Sequence, residues 1–273
     1  VDVCGYAVMS NHLHAVIRTR PDISKSWTDK EIAERWWRLF PKRRKKDHSP
    51  AKPEFEELAG VLRDCEGVDR TEELRRRLGD VSWFMRCLNE WIARRANRED
   101  ECKGRFWEGR FKCQALLDNA AVLACSAYVD LNPIRAGIAK SLQESEYTSV
   151  QDRVRSREGR GKVKAFRARM KEEGLTSRQE KLYEGARQES HRDDWLCPIG
   201  RNKGERRGFL MGLKSEEYLE LLNWTGRELK AGKRGVIPAA VVPVLLRVDM
   251  KVEQWLETMR NYGSWYYRFV GAV

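Results

Sequence analysis

Residues 5–17 read GYAVMSNHLHAVI, and this stretch decides the fold. Val1 to Met9 alternates as a strand does, Ser10-Asn11 supplies turn chemistry, and His12 to Arg18 resumes an extended, β-branched pattern. The stretch therefore predicts a β-hairpin.

Two of the four histidines lie in this hairpin, at His12 and His14. Alternate residues of a strand share one face, so both imidazoles are expected to point the same way, with Leu13 turned into the core. Paired imidazoles can hold a divalent ion. The alternative is a pair of polar residues on a solvated strand face, because a His-x-His pattern alone is weak.

Helical spacing dominates the segments that follow. It predicts helices over Thr28 to Phe40, over Val81 to Asn97, and from a cap at Asp118 to Asn132, where Pro133 is expected to end the helix. Between the last two, residues 105–117 read RFWEGRFKCQALL. Their aromatic and basic side chains alternate, which predicts a strand.

The third predicted helix carries Tyr128, with Asn132 four residues later on the same face. A phenol is a poor nucleophile at neutral pH and needs an electrophile that a metal polarises. Two histidines and an amide would leave positions on such a metal open for phosphate oxygens. The alternative is that Tyr128 is a packed core aromatic and that Asn132 caps the helix.

The composition restricts the partners. The 273 residues carry a formal net charge of +12, and 34% of them are charged, which favours a polyanion such as nucleic acid. The sequence contains no run of about eighteen apolar residues, which is what would predict a membrane span. Seven cysteines are scattered singly, which argues against a zinc ribbon. We expect a soluble intracellular protein, and the absence of a Gly-rich phosphate loop argues against nucleotide hydrolysis.

Three strings together resemble a known family: GYAVMSNHLHAVI, GRFWEGRFKCQALL and AYVDLNPIRAG. They are similar, in order and spacing, to the successive motifs of the single-tyrosine HUH transposases with an IS200-like domain, specifically the bacterial REP-associated tyrosine transposase branch. The resemblance covers roughly residues 1–137. Three motifs in order are more specific than any one of them.

The resemblance implies an α+β, ferredoxin-like HUH endonuclease domain. In such a domain His12 and His14 would hold Mg²⁺ or Mn²⁺, with Asn132 as the third ligand. Tyr128 would cleave and rejoin single-stranded or hairpin DNA through a 5′-phosphotyrosine intermediate. The family's domain normally opens with a strand and a helix ahead of the hairpin, and we expect that these are missing here. A cytoplasmic, nucleoid-associated location follows from the same likeness.

The predicted organisation is an HUH domain over 1–150 with a basic insertion at about 41–80, a charged linker over 151–200, and a helical module over 201–273. Trp36 and Trp37 are predicted in the core, with stacking on an unpaired base as the alternative. The cations that flank the site and could bind DNA phosphates are Arg105, Arg110, Lys112 and Arg135. Further cations at Lys230, Lys233 and Arg234 are a weaker hypothesis for sequence recognition.

Two other functions stay open at this stage. One is a non-catalytic binder of hairpin nucleic acid, and the other is a metal-dependent nuclease that uses water instead of Tyr128. Tyr6 and Tyr147 are rival nucleophiles that we interpret as structural. The sequence does not decide between a monomer and a homodimer.

Overall fold

The computed structural model shows an α+β protein in which helices predominate over two small sheets. It describes residues 1–172, 174, 176–200, 207–230, 237–265, 269 and 270. The chain forms two compact units, Val1–Asp2 with Ile17–Lys112, and Val3–Val16 with Cys113–Val273. Each unit has a core of its own. The boundaries predicted at residues 150 and 200, between the HUH domain, the charged linker and the helical module, stay predictions.

The predicted hairpin is confirmed. Strands β1 (Asp2–Val8) and β2 (Leu13–Arg18) pair in a two-stranded sheet, and the backbone N–H of Met9 donates to the carbonyl of His12 at 2.9 Å across the turn. One detail was wrong. Leu13 is only half-buried, whereas Val16 joins the core, because the hairpin packs on the face that Val16 shares with His14.

The helices of the first unit are α1 (Pro21–Ser26), α2 (Asp29–Leu39), α3 (Phe55–Val61), α4 (Thr71–Gly79) and α5 (Val81–Glu99). Helices α2 and α5 confirm two predicted helices.

A small core holds α2, α3 and α4 together. Its buried side chains are Ile32, Ala33, Trp37, Val61 and Leu74. Helices α3 and α4 belong to the predicted basic insertion, which is therefore helical in part. The insertion therefore folds against α2 instead of lying apart from it.

The helices of the second unit are α6 (Asn119–Asp130), α7 (Asn132–Arg135), α8 (Ser149–Glu172), α9 (Ser177–Ser190), α10 (Ser215–Leu229), α11 (Val241–Leu246) and α12 (Val252–Trp265). The unit also contains two short strands, β3 (Ala115–Leu116) and β4 (Phe269–Val270). Strands β3 and β4 pair in parallel, with Ala115 opposite Phe269. Helices α10 and α12 confirm the helical pattern predicted near the carboxyl end.

Helix α6 lies at the centre of the second unit. Asp118 caps it by accepting a hydrogen bond from the N–H of Ala121 at 2.7 Å, as predicted. The helix then buries residues around most of its circumference, which suits a helix covered by neighbours on several sides. Trp224 and Trp255, from α10 and α12, are buried in the same core.

The predicted strand over residues 105–117 was wrong except at Ala115–Leu116. A strand needs a partner for its backbone, and the segment before residue 115 is attached to α5 instead. The indole N–H of Trp107 donates to the carbonyl of Asn89 at 2.9 Å, and the amide of Asn97 donates to the carbonyl of Gly104 at 3.0 Å. Side-chain alternation alone could not reveal that choice of partner.

The predicted charged linker contains α8 and α9, which lie directly against each other. A Cβ built on Gly159 would meet the backbone nitrogen of Ser190 at 2.6 Å, so glycine is required at this contact. The hydroxyl of Ser156 donates to the carbonyl of Ser190 at 2.7 Å. Across the described residues, no helix is both long and apolar enough to cross a membrane.

Candidate active site

Tyr128 lies on the central helix α6 and faces the hairpin. Its half-buried ring meets the ring of His14, on β2, in an edge-to-face arrangement with centroids 5.9 Å apart and planes at 80°. The two residues are far apart in sequence, and the packing of α6 on the hairpin brings them together. The structure thus brings together Tyr128 and His14, two of the residues that the sequence motifs single out.

The two histidines are also adjacent. Their ring centroids are 4.7 Å apart at an angle of 85°, although His12 lies one residue before β2 begins. Nδ1 of His12 lies 2.6 Å from the side-chain oxygen of Asn11. An amide oxygen only accepts, so Nδ1 of His12 is the donor in this hydrogen bond. A neighbour that fixes the tautomer in this way is typical of metal-binding histidines.

His14 is held in its neutral form. Burial, and to a smaller extent the nearby His12, lower the pKa of His14 to about 4. At pH 7 the His14 imidazole is therefore uncharged, which is the form that binds metal ions.

Asn132 opens helix α7, which corrects the expectation that Pro133 ends the helical segment. Pro133 lies in the first turn of α7, where its missing N–H has no consequence. The side chain of Asn132 is buried, and no described residue forms a hydrogen bond with it. Asn132 is not among the described side chains whose polar atoms are fully buried without a hydrogen-bond partner, so its amide keeps some access to solvent.

The candidate donors for a divalent ion are the two adjacent imidazoles and the amide of Asn132. Within the described ranges, no group of three or more histidine, cysteine, aspartate or glutamate side chains could hold a metal. The structure brings His12 and His14 together, and Asn132 stays a candidate oxygen donor from the sequence motifs. Among the described residues, no hydrogen bond joins Asn132 to either histidine.

Arg135 is the predicted DNA-binding cation that lies beside Tyr128. Its guanidinium carbon is 4.9 Å from the centroid of the Tyr128 ring. The guanidinium also donates to the backbone carbonyls of Met259 and Arg260 in α12, which hold it in place. A fixed positive charge next to the phenol can attract a phosphate.

The contribution of α12 to this site was not predicted from the sequence. Tyr262 is buried and stacks on Tyr128, with centroids 4.7 Å apart and planes at 26°. A Cβ built on Gly263 would lie 3.1 Å from the hydroxyl of Tyr128. Helix α12 therefore limits where the phenol can lie. A glycine inside a helical pattern was the one local signal for so close an approach.

A buried polar network that was also missed joins α6 to the hairpin. Fully buried Asp130 accepts hydrogen bonds from the hydroxyls of Ser149 and Tyr218, the latter at 2.7 Å. The Ser149 hydroxyl also accepts from the backbone N–H of Tyr6 at 2.8 Å. The signal in the sequence was an aspartate in the apolar run around Tyr128.

Burial raises the pKa of Asp130, while its two hydroxyl partners and nearby Arg153 oppose that rise. The network is thus a polar connection inside an apolar core, and its hydrogen bonds must all form for it to stabilise the fold. It holds the helix of Tyr128 and the strand next to His14 in one arrangement.

Among the described residues, the remaining predicted cations have no cation–π contact with Tyr128. Arg105, Arg110 and Lys112 are exposed and belong to the first unit. Lys230 ends α10 and donates to the carbonyl of Lys140, whereas Lys233 and Arg234 lie outside the described residues.

The two rival tyrosines are placed differently from Tyr128. The Tyr6 hydroxyl donates to Asp152 at 2.8 Å. Tyr147 is 71% exposed, in a turn with a positive φ.

Comparison with known proteins gave no further guide to this site. No family model, no curated protein and no solved structure matches the chain. The residues and their geometry are therefore the basis for any functional conclusion.

Proposed function

We propose that the chain is a transposase-type DNA endonuclease that cleaves and rejoins single-stranded or hairpin DNA through Tyr128. The observation that carries the proposal is the ring contact of Tyr128 with His14, whose ring in turn contacts His12. On this proposal the hairpin and α6 are parts of a ferredoxin-like HUH domain. The net charge of +12 supports a polyanionic substrate.

In the proposed reaction, the Tyr128 oxygen attacks the phosphorus of a phosphodiester. A bond forms between that oxygen and phosphorus, and the bond from phosphorus to the 3′ oxygen breaks. The phenolic proton goes to solvent, and the leaving 3′ oxygen takes up a proton to become a free hydroxyl. The DNA is then joined to Tyr128 through its 5′ phosphate, and reversal of the step rejoins the strands.

The neighbouring residues support this step by position and charge. Tyr262 and Gly263 restrict the phenol, and Arg135 offers a fixed cation for the phosphate. His12, His14 and Asn132 would hold a divalent ion such as Mg²⁺ or Mn²⁺, which would supply Lewis-acid polarisation of the phosphate.

The decisive test is a denaturing gel of the purified full chain with labelled hairpin DNA and Mn²⁺. We expect a slow, protease-sensitive adduct with the wild type and none with Tyr128→Phe. Tyr147→Phe is a matched control, because it removes one exposed phenol outside the site. We expect it to form the adduct normally, and we expect His14→Ala to lose it.

Each of the other outcomes points to a different function or a different nucleophile. An adduct that persists in Tyr128→Phe contradicts the choice of nucleophile. Cleavage without an adduct, undiminished in Tyr128→Phe, identifies a metal-dependent nuclease that uses water. DNA binding with neither cleavage nor adduct identifies a non-catalytic binder of hairpin nucleic acid.

A further inference from the structure

A concave surface in the first unit has the chemistry of a second binding site. It lies between the end of α2 and the turns on either side of α3, and it encloses about 280 Å³. We call it the insertion pocket and define it by Trp36, Phe40, Lys42, Arg63 and Arg70. Its volume is near the lower end of small-molecule sites, which span roughly 300–1,000 Å³.

One side of the insertion pocket is aromatic. Trp36 and Phe40 have ring centroids 4.8 Å apart with planes at 41°, and Trp83 is 5.9 Å from Trp36. Phe40 is 42% exposed, which is a large fraction for an aromatic side chain at a helix end. The pocket therefore presents flat apolar surface to solvent.

The other side is positively charged. Lys42 and Arg63 are exposed, and within the described part of the chain neither forms an ion pair within 4.0 Å. The Arg70 guanidinium carbon lies 5.6 Å from the Trp36 centroid. Its buried Nε has no hydrogen-bond partner among the described residues, although a carboxylate oxygen of Glu73 lies 3.8 Å away.

The acidic side chain that lines the pocket is already engaged. Asp64 accepts hydrogen bonds from the backbone N–H groups of Glu66 and Val68, each at 2.9 Å. The carboxylate therefore stabilises its own turn instead of neutralising the three cations. The pocket combines an open aromatic surface with Lys42 and Arg63, which form no ion pair within 4.0 Å in the described part of the chain, and with Arg70, which pairs with Glu73 at 3.8 Å.

We propose that the insertion pocket binds one unpaired nucleotide of single-stranded DNA. The base stacks on Trp36 and Phe40, and its phosphate contacts Lys42, Arg63 and Arg70. Stacking on aromatics and cations along the backbone are the two elements of single-strand binding, and a duplex would hide the face of the base. The proposal rests on the proposed function only for the choice of DNA over RNA.

The aromatic side is tested with Phe40→Ala in the full-length Tyr128→Phe chain without metal, so that no cleavage interferes. Fluorescence anisotropy measures binding of a labelled single-stranded oligodeoxynucleotide and of an abasic strand of equal length. We expect about tenfold weaker binding of the normal strand, in the range for loss of one stacked base, and no change for the abasic strand. Phe55→Ala is the control, because Phe55 is 84% exposed outside the pocket and should have no effect.

The cationic side is tested with two double variants of equal charge change. Lys42→Ala/Arg63→Ala removes two cations from the pocket. Lys45→Ala/Lys46→Ala removes two exposed cations that lie close to Lys42 in sequence but do not line the pocket. We expect the pocket variant to bind the single strand at least about fivefold more weakly than the control variant, since phosphate neutralisation supplies much of the affinity. The logarithmic slope of its binding against salt should also become shallower by about 0.7 for each phosphate that is no longer neutralised.

Three outcomes would overturn the inference. The first is that Phe40→Ala weakens binding of the normal and the abasic strand equally, and the second is that both double variants weaken binding equally. The third is RNA of the same sequence binding more than about tenfold tighter through the same residues, which would identify RNA as the single strand that stacks there.

Failure of the proposed function looks different. A missing Tyr128 adduct together with Phe40-dependent binding removes the nuclease and leaves the pocket. An adduct together with unaffected binding by the pocket variants removes the pocket alone.

Discussion

The surroundings of Tyr128 and the helical insertion are held together by different interactions. Around Tyr128, buried hydrogen bonds between residues distant in sequence fix the helix and the hairpin, with Asp130, Ser149 and Tyr218 at the centre. In the insertion, a small apolar core holds short helices, and ion pairs such as Arg43 with Glu57 lie at the surface.

The two regions differ in what their proposed roles require: a fixed position for Tyr128, and an exposed surface for the insertion pocket. A group that reacts must be held to fractions of an ångström, and a buried network achieves this because a half-formed network is costly. A surface that binds a flexible strand needs exposure and charge more than rigidity. The two regions should therefore respond differently to removal of core side chains, removal of buried hydrogen bonds and small steric changes.

The largest effect is expected in the small core of the insertion. Trp37 is 1% exposed, and its indole N–H donates to the carbonyl of Ala51 at 2.7 Å. Trp37→Ala should lower the free energy of unfolding of this region by about 3–5 kcal/mol, as large-to-small changes at buried aromatics do. Hydrogen exchange of peptides from residues 29–79 measures it, together with urea unfolding.

Trp91→Ala is the matched control, because Trp91 is 60% exposed in the same unit and should cost less than about 1 kcal/mol. Unchanged protection of residues 29–79 in Trp37→Ala would show that the helices of the insertion do not depend on this core.

A smaller effect is expected from Asp130→Ala in the second unit. The change removes the acceptor of two buried hydroxyls and should cost about 3 kcal/mol, because each buried hydroxyl without its partner costs about 1–3 kcal/mol and the Ser149 hydroxyl keeps the carbonyl of Tyr6 as an acceptor. Asp130→Asn keeps an acceptor and should cost less. Urea unfolding compares the two variants, and equal losses of stability would contradict the network.

The pH dependence of stability in wild type and in Asp130→Asn gives a sharper test of the same network. Burial raises the pKa of Asp130 in the folded state, so the native protein binds the proton more tightly than the unfolded chain. The contribution of Asp130 to stability is then largest below the unfolded pKa and falls as the pH rises towards the folded pKa. The stability difference between wild type and Asp130→Asn should therefore shift against the wild type with rising pH. A shift in the opposite direction would contradict the raised pKa.

The sequence predicted what depends on local signals. The helix start at Thr28, the cap at Asp118 and the hairpin turn all lie within a few residues of what they determine, and each was confirmed. The strand expected at residues 105–114 failed because pairing depends on a distant partner. Tyr262 and the partners of Asp130 were missed for the same reason, since a long-range contact leaves no periodicity in the sequence.

The smallest expected change in stability is at Gly263, where the contact with Tyr128 is nevertheless close. Alanine favours a helix over glycine by about 1 kcal/mol, and the crowding of the Tyr128 hydroxyl at 3.1 Å offsets this, so stability should change by less than about 1 kcal/mol. The phenol must shift by a few tenths of an ångström, and adduct formation with hairpin DNA and Mn²⁺ should slow about fivefold, because in-line attack depends on position. Gly185→Ala, in α9 with open space around it, is the control and should form the adduct at the wild-type rate. An equal rate in both variants would mean that α12 does not position the nucleophile, and the surroundings of Tyr128 would then be no more restrictive than those of the insertion pocket.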